Sequence, residues 1–215
     1  MQTRVTTSSL VAFVAVLALS YIDAPSVDAQ PRKQVDRYDD AFRKYTKRSF
    51  GPAFDWRVFK AQGVAESNLD SGARSYVGAR GVMQLMPITF REITSKNPEL
   101  QHIDDPNMNI AAGIAYDRRL WLRWERDSIQ GDRTRFMLAS YNAGRTTLLH
   151  AQQHARNAKL DPRLWPSIER IAPQVPRWRH AETLQYVRRI STILDQLDDR
   201  GRATVDGAST RGVKR

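Results

Sequence analysis

The chain contains no cysteine. Disulfides, thiolate metal sites and cysteine nucleophiles are thereby excluded, as is a lipid carried on an N-terminal cysteine. Stability has to come from packing. Histidine is scarce too, with four in 215 residues. His150 and His154 stand four apart on a helical stretch, a spacing that could pair on a metal. The intervening Ala151-Gln152-Gln153 lacks the glutamate of a zinc protease. Two exposed histidines are the simpler reading, and no metal or cofactor is expected. There is no G-x-S-x-G, so Ser140 is not expected to act as a nucleophile. No glycine-rich phosphate loop follows a strand. Convincing period-two alternation is missing, which leaves helix as the expected regular structure.

Negative charge is in short supply. Lys and Arg number 34 against 23 Asp and Glu, for a net charge of +11. Such a balance favours an anionic partner: nucleic acid, an acidic membrane surface or an acidic polymer. Arg177-Trp178-Arg179-His180 is one basic patch, yet no nucleic-acid motif accompanies it. A solvated basic face without a specific role is the plain alternative.

Long apolar runs are also lacking. The longest, Leu10 to Leu19, falls short of the roughly 20 residues that span a bilayer. With Arg4 before it, and Val27 and Ala29 fitting a small-residue cleavage pattern, it reads as a signal peptide over 1–29. An uncleaved membrane anchor is the alternative. Either way the domain is expected to be exported, which disfavours nucleic acid as partner. A linker (30–36), one domain (37–199) and a disordered basic tail (200–215) are expected to follow.

Helical patterns fill the domain. Tyr38, Phe42 and Tyr45 recur at helical spacing and the pattern stops near Gly51. Asp55 is a candidate N-cap for a second helix, with Val58, Ala61, Gln62 and Ala65 on one face and Phe59, Gln62 and Glu66 on the adjoining one. Pro87 suits the first turn of a short helix. A long helix follows Asp104-Asp105, with Ile110, Ile114 and Leu120 to Leu122 inward and charges opposite. Asp132 opens a helix ending at Gly144, and another runs on from Arg145. Asp161 with Pro162 opens a short one, and Ala181 to Leu197 is amphipathic. The expected fold is all-α, with at most a tiny β element in the loop after Glu66.

Glu66 is the candidate for chemistry. Val64 and Ala65 beside it are apolar, and the loop after it brings Met83, Leu85 and Met86. Gly72, Gly78 and Gly81 punctuate that loop. If it folds back over the helix end, Glu66 loses water and its pKa rises. A protonated glutamate can donate to a glycosidic oxygen. A solvated helix end is the alternative from spacing alone.

The same stretch resembles the soluble lytic transglycosylase family, whose fold is lysozyme-like. The resemblance rests on Glu66-Ser67, Ser75 and Gly78 to Pro87. It rests also on Asn109 with Ala112-Gly113, on "ASYNAG" (Ala139 to Gly144) and on "ETLQYV" (Glu182 to Val187). Four blocks in order cover roughly Asp40 to Leu197. The resemblance implies cleavage of peptidoglycan glycan strands at the MurNAc–GlcNAc β-1,4 bond. Glu66 would protonate the bond oxygen and then act as base on the muramoyl 6-hydroxyl, giving a 1,6-anhydro end without water. One acid is enough for that route, whereas hydrolytic mechanisms use a second carboxylate.

Family positions lining the sugar cleft fall on Ser75, Gln84, Met86, Tyr141, Asn142 and Tyr186. Ser75 and Gln84 would hydrogen-bond sugar groups and Met86 would supply apolar contact. Asn142 could equally cap its helix, and Tyr186 could equally be a core tyrosine. Met83 is read as core and Glu182 as a helix-start charge. The basic, exported surface suits peptidoglycan, whose peptides are anionic. A cell-envelope secretion or conjugation machine is a candidate partner, and the chain is expected to act as a monomer. A hydrolytic muramidase on the same fold and a non-catalytic cell-wall-binding module are the competing readings. Three departures from the family pattern stand out: Gly63 in place of a bulky residue, which implies a looser helix; Leu69-Asp70-Ser71 without Asn-Pro; and Tyr76 in place of proline.

Overall fold

A computed structural model of the chain describes residues 36–129 and 131–209. The expected signal peptide, the linker up to residue 35 and residues 210–215 of the tail lie outside the described residues. Among the described residues, regular structure is entirely helical: eight α-helices and one 3-10 turn.

Helix α1 (Asp39–Phe50) carries Asp39 and Asp40 in its first turn and Lys47 and Arg48 in its last, matching the helix dipole. Phe42 is its buried anchor. Helix α2 (Arg57–Ser67) starts from Trp56, one residue later than the cap expected at Asp55. The Asp55 carboxylate instead accepts the N–H of Arg57 at 3.0 Å and holds its guanidinium. Helix α3 (Pro87–Thr94) has Pro87 in its first turn, as the sequence suggests.

Helix α4 (Pro106–Arg126) is capped by Asp105, whose side chain accepts from the Met108 N–H at 2.8 Å. Its buried stripe is Ile110, Ile114, Asp117, Leu120 and Trp124, at helical spacing. Leu122, expected inward, is 38% exposed. Two residues advance a helix by about 200°, so Leu120 and Leu122 cannot share a face. Asp117, expected among the outward charges, lies in the inward stripe.

Helix α5 (Arg133–Ala143) stops at Gly144, whose φ of 82° is open to glycine at little steric cost. Helix α6 (Arg145–Asn157) follows directly. Helix α7 (Trp165–Ile171) starts later than Asp161 and Pro162 imply, with Pro166 at its own first turn. The Asp161 carboxylate takes the Arg163 N–H in the preceding turn. A 3-10 turn (Ala172–Gln174) leads toward helix α8 (His180–Ser209). The α8 backbone stays helical ten residues past the domain boundary expected at 199.

Helix α2 packs on α8; α4 packs on α1 and α5; α5 packs on α6 and α8. Phe42, Phe59, Met83, Trp124 and Phe136 are buried among them. Each such side chain contributes about 2 kcal/mol by leaving water. Trp124 donates its indole N–H to Ser140 Oγ at 3.0 Å, so the buried Ser140 is committed to packing. Gly63 also corrects an expectation. A Cβ there would meet Phe42 at 3.0 Å, Leu69 at 3.2 Å and Val82 at 3.3 Å. The missing side chain makes α2 pack closer, not looser.

Candidate active site

Glu66 sits in the last turn of α2, and the chain leaves that helix through Asn68 (φ 53°) and Leu69 (φ 62°). The left-handed pair reverses direction, and buried Leu69 is pinned under the loop. The loop then folds back over the helix end. Ser67 Oγ donates to the Val82 carbonyl at 2.8 Å. Isolated antiparallel bridges join Arg74 to Arg80 and Arg80 to Leu85, the tiny β element expected here.

Asn109, wholly buried at the start of α4, clamps the loop. It accepts the Met83 N–H at 2.8 Å and donates to the carbonyls of Arg80 and Ile103. Gly81, with φ 75°, allows this approach, since a Cβ there would lie 2.6 Å from the Asn109 amide.

Tyr186 comes from α8. Its hydroxyl donates to Glu66 Oε1 at 2.5 Å. The residue Glu66 keeps part of its surface open, but protein crowds its carboxyl, and that desolvation pushes its pKa up to about 7. The Tyr186 hydrogen bond and the Arg189 charge pull the other way without offsetting it. Burial holds the tyrosine hydroxyls of Tyr141 and Tyr186 neutral, and a charge on Glu66 reinforces this.

Tyr141, on α5, stands in the same cluster. Its hydroxyl donates to the Met83 carbonyl at 2.8 Å, and its ring meets that of Tyr116 at 5.3 Å. Burial raises the Tyr116 pKa as well. Tyr141 therefore ties α5 to the loop that Asn109 clamps from the other side.

Two of the expected sugar-binding side chains are occupied within the loop. Gln84 has φ 44°, and its Nε2 donates to the carbonyls of Gly81 (2.9 Å) and Ala73 (3.2 Å). Ser75 Oγ accepts the Ala79 N–H at 2.9 Å. Met86 immediately precedes α3 and is partly exposed. Asn142 is half-buried near the end of α5. It lines a small hollow with Arg177, Arg179, Glu182 and Thr183, and the α5 end is closed by the Gly144 N–H rather than by its amide. Glu182 is in the first turn of α8 and pairs with Arg179.

Gln62 and Asp117 were not singled out for the site by sequence, yet both are wholly buried beside it. A charge on Glu66 acts on Asp117, and Asp117 acts on both cleft tyrosines. The sequence did carry a signal: an acid in line with the apolar stripe of α4. His150 and His154 are on α6, and the described residues hold no group of three or more side chains suited to a metal.

Known proteins share this arrangement of chain. The family model of the transglycosylase SLT domain matches residues 44–163. A membrane-bound lytic murein transglycosylase F from Desulfosudis oleivorans is 31% identical over 86% of this chain and 41% of its own length. One from Ectopseudomonas mendocina is 27% identical over 83% of this chain and 37% of its own. The chain thus spans about two fifths of these relatives. Among solved structures, the 70 kDa soluble lytic transglycosylase of Escherichia coli superposes with a TM-score of 0.56. That match covers 73% of this chain and 23% of the other at 23% identity, a likeness of fold. The helical frame, the clamped loop and the matched residues together place this chain in the transglycosylase SLT domain family.

Proposed function

We propose that the chain is a peptidoglycan lytic transglycosylase in which Glu66 is both general acid and general base. One observation carries the reading. The Glu66 carboxyl is desolvated, titrates near neutrality and is gripped by a tyrosine hydroxyl where α2, α8 and the folded-back loop meet. A relative bearing the name lytic murein transglycosylase, similar over most of this chain, supports the substrate class.

The chemistry balances with one acid. Protonated Glu66 gives its proton to the oxygen between N-acetylmuramic acid and N-acetylglucosamine, and the C1–O bond breaks. Glu66, now a carboxylate, is stabilised by the Tyr186 hydroxyl and by the positive charge of Arg189. It then takes the proton of the muramoyl 6-hydroxyl as that oxygen bonds to C1. The products are a 1,6-anhydro end and a free 4-hydroxyl, and no water is consumed.

Ser75, Gln84, Met86, Tyr141 and Asn142 would bind the glycan around this centre. Because the Gln84 N–H groups are committed to the loop, its Oε1 is the atom left to accept from a sugar hydroxyl or acetamido N–H. The Ser75 hydroxyl proton is the one left to donate. In this reading the chain works outside the cytoplasm as a monomer, delivered by the 1–29 signal and folded mainly over 37–199. Its +11 charge suits a polymer bearing peptide carboxylates. Service to a secretion or conjugation machine is compatible with the same site. Among the described residues no helix is long and apolar enough to cross a membrane.

The test is digestion of purified peptidoglycan by the parent and by Glu66→Gln, with the products weighed by mass spectrometry. Anhydro ends, one water lighter than hydrolytic ends, are expected from the parent and none from the variant. Hydrolytic ends alone would make the chain a muramidase. Full activity of Glu66→Gln would leave a binding module.

A further inference from the structure

Gln62 lies four residues before Glu66 on α2, so it occupies the same helical face one turn below. Asp117 approaches it from α4. Both residues are 0% exposed. None of their four side-chain polar atoms meets a partner at ordinary hydrogen-bond distance and angle, although the Gln62 amide lies close enough to act on the Asp117 carboxyl as a donor. Native cores rarely leave four such atoms unmet, and an unpaired buried carboxylate is the most expensive of them.

Among the described residues, no cation pairs with that carboxylate. From α2 the titratable group is Glu66; from α5 it is Tyr141; from α8 it is Tyr186. On α4 itself Tyr116 is adjacent and neutral, and Arg119 turns to its ring and to Glu92. Helix α1, packed on both α2 and α4, brings Thr46, whose buried hydroxyl is also unpartnered. Lys60, also on α2, is paired with Asp39. Arg189 acts on Glu66.

We infer that Asp117 is held as the uncharged acid, paired with the Gln62 amide, and that this pair positions Glu66. A carboxylic acid and a primary amide satisfy each other with two hydrogen bonds. The acid O–H donates to Gln62 Oε1, and Gln62 Nε2–H donates to the other Asp117 oxygen. All four orphan atoms thereby gain a partner, two as donors and two as acceptors. The pair braces the turn of α2 that carries Glu66 against α4. It also leaves the cluster with a single negative charge to hold, the one Glu66 acquires when it gives up its proton. Desolvation, and after it the Glu66 charge, keeps the Asp117 pKa well above the ordinary carboxylate range, although donation from the Gln62 amide pulls the other way.

This inference deepens the function proposed above, and its first readout does not depend on that function. A group whose folded pKa is raised supports the fold fully below its unfolded value, and that support is lost as pH rises toward the folded value. Asp117 should therefore weaken the folding equilibrium as pH rises above its unfolded value, by up to about tenfold per pH unit. Denaturant unfolding between pH 5 and 8 is compared for the full chain and for Asp117→Asn, which keeps an amide pair but cannot ionise. The parent should lose stability with rising pH more steeply than the variant, by up to about that tenfold per unit. Equal slopes overturn the uncharged acid.

The positioning role is read on peptidoglycan turnover. Asp117→Asn should hold kcat within about threefold, because amide pairs with amide. The double variant Gln62→Leu with Asp117→Leu, apolar and of similar volume, should be as stable as the parent but turn over about tenfold more slowly at unchanged KM. Parental kcat in the double variant overturns the positioning role. Loss of turnover in every protein, parent included, with the slope difference intact would instead count against the proposed reaction.

Discussion

Tyr186 and Glu66 stand 120 positions apart in sequence, and the hydroxyl of one donates to the carboxyl of the other at 2.5 Å. Helices α2 and α8 must pack for this pair to exist. The hydrogen bond favours the charged form of Glu66 while desolvation favours the neutral one, and desolvation prevails.

Replacing Tyr186 with Phe removes the donor and keeps the ring. The Glu66 pKa should then rise further, because the hydrogen bond lowers it. The pH–rate profile should shift its falling limb upward, with kcat reduced about tenfold as the carboxylate loses a partner. A profile with an unmoved limb would separate Tyr186 from the protonation of Glu66.

Activity of the parent should fall as pH rises through about 7, where the proposed acid, Glu66, loses its proton. Stability follows the same group. The folded pKa is raised from 4.5 to about 7, so the contribution of Glu66 to the fold is full below the lower value and fades as pH climbs to the upper one. Glu66→Gln escapes that loss. At pH 8 it should be more stable than the parent by roughly 2–3 kcal/mol, with the gap closing toward pH 4. Urea unfolding at both pH values measures the gap, and a constant gap would point to some other cause.

Asn109→Ala should release the loop. Three hydrogen bonds vanish, leaving the Met83 N–H and the Ile103 carbonyl without this partner and the Arg80 carbonyl with the Leu85 N–H alone. The expected loss is roughly 3 kcal/mol, together with a drop in kcat, because Tyr141 and Gln84 take their places from the same loop. Amide hydrogen exchange at 80–85 should quicken more than exchange in α6, far from the clamp. Uniform quickening throughout would mean that Asn109 supports the whole fold rather than the loop.

Gly63→Ala sets two effects against each other. Alanine gains about 1 kcal/mol in helix propensity. Its methyl would press on Phe42, Leu69 and Val82 at 3.0–3.3 Å. Overpacking of that kind costs about 1–3 kcal/mol, so a net loss of about 1 kcal/mol is expected, seen as a melting temperature lowered by roughly 2–4 °C. A raised melting temperature would show that the neighbours can move aside.

Much of the frame was legible. Tyr38, Phe42 and Tyr45 announce α1, Pro87 marks the first turn of α3, Asp105-Pro106 opens α4 and Gly144 closes α5. These signals are local, set by backbone steric limits and capping chemistry. Local reading failed where a long-range partner decides. Asp161 and Pro162 look like a helix start, but their turn closes on Arg163 and the helix waits for Trp165, whose N–H is taken by Asp132. Leu122 is apolar and yet faces water, because Leu120 and Trp124 already occupy the inward face.

The sequence by itself determined the helices, the acid at the end of α2 and the glycine-bearing loop behind it. Spacing and turn chemistry act within a few residues, so a linear reading captures them. Only the tertiary structure decided what those residues meet. It put the Tyr186 hydroxyl on Glu66, turned the Gln84 amide into a loop brace, and enclosed Asp117 with Gln62. Desolvation depends on every helix that excludes water from a point. That is why one glutamate titrates near 7 and one aspartate in a row of apolar residues is held well above the ordinary carboxylate range.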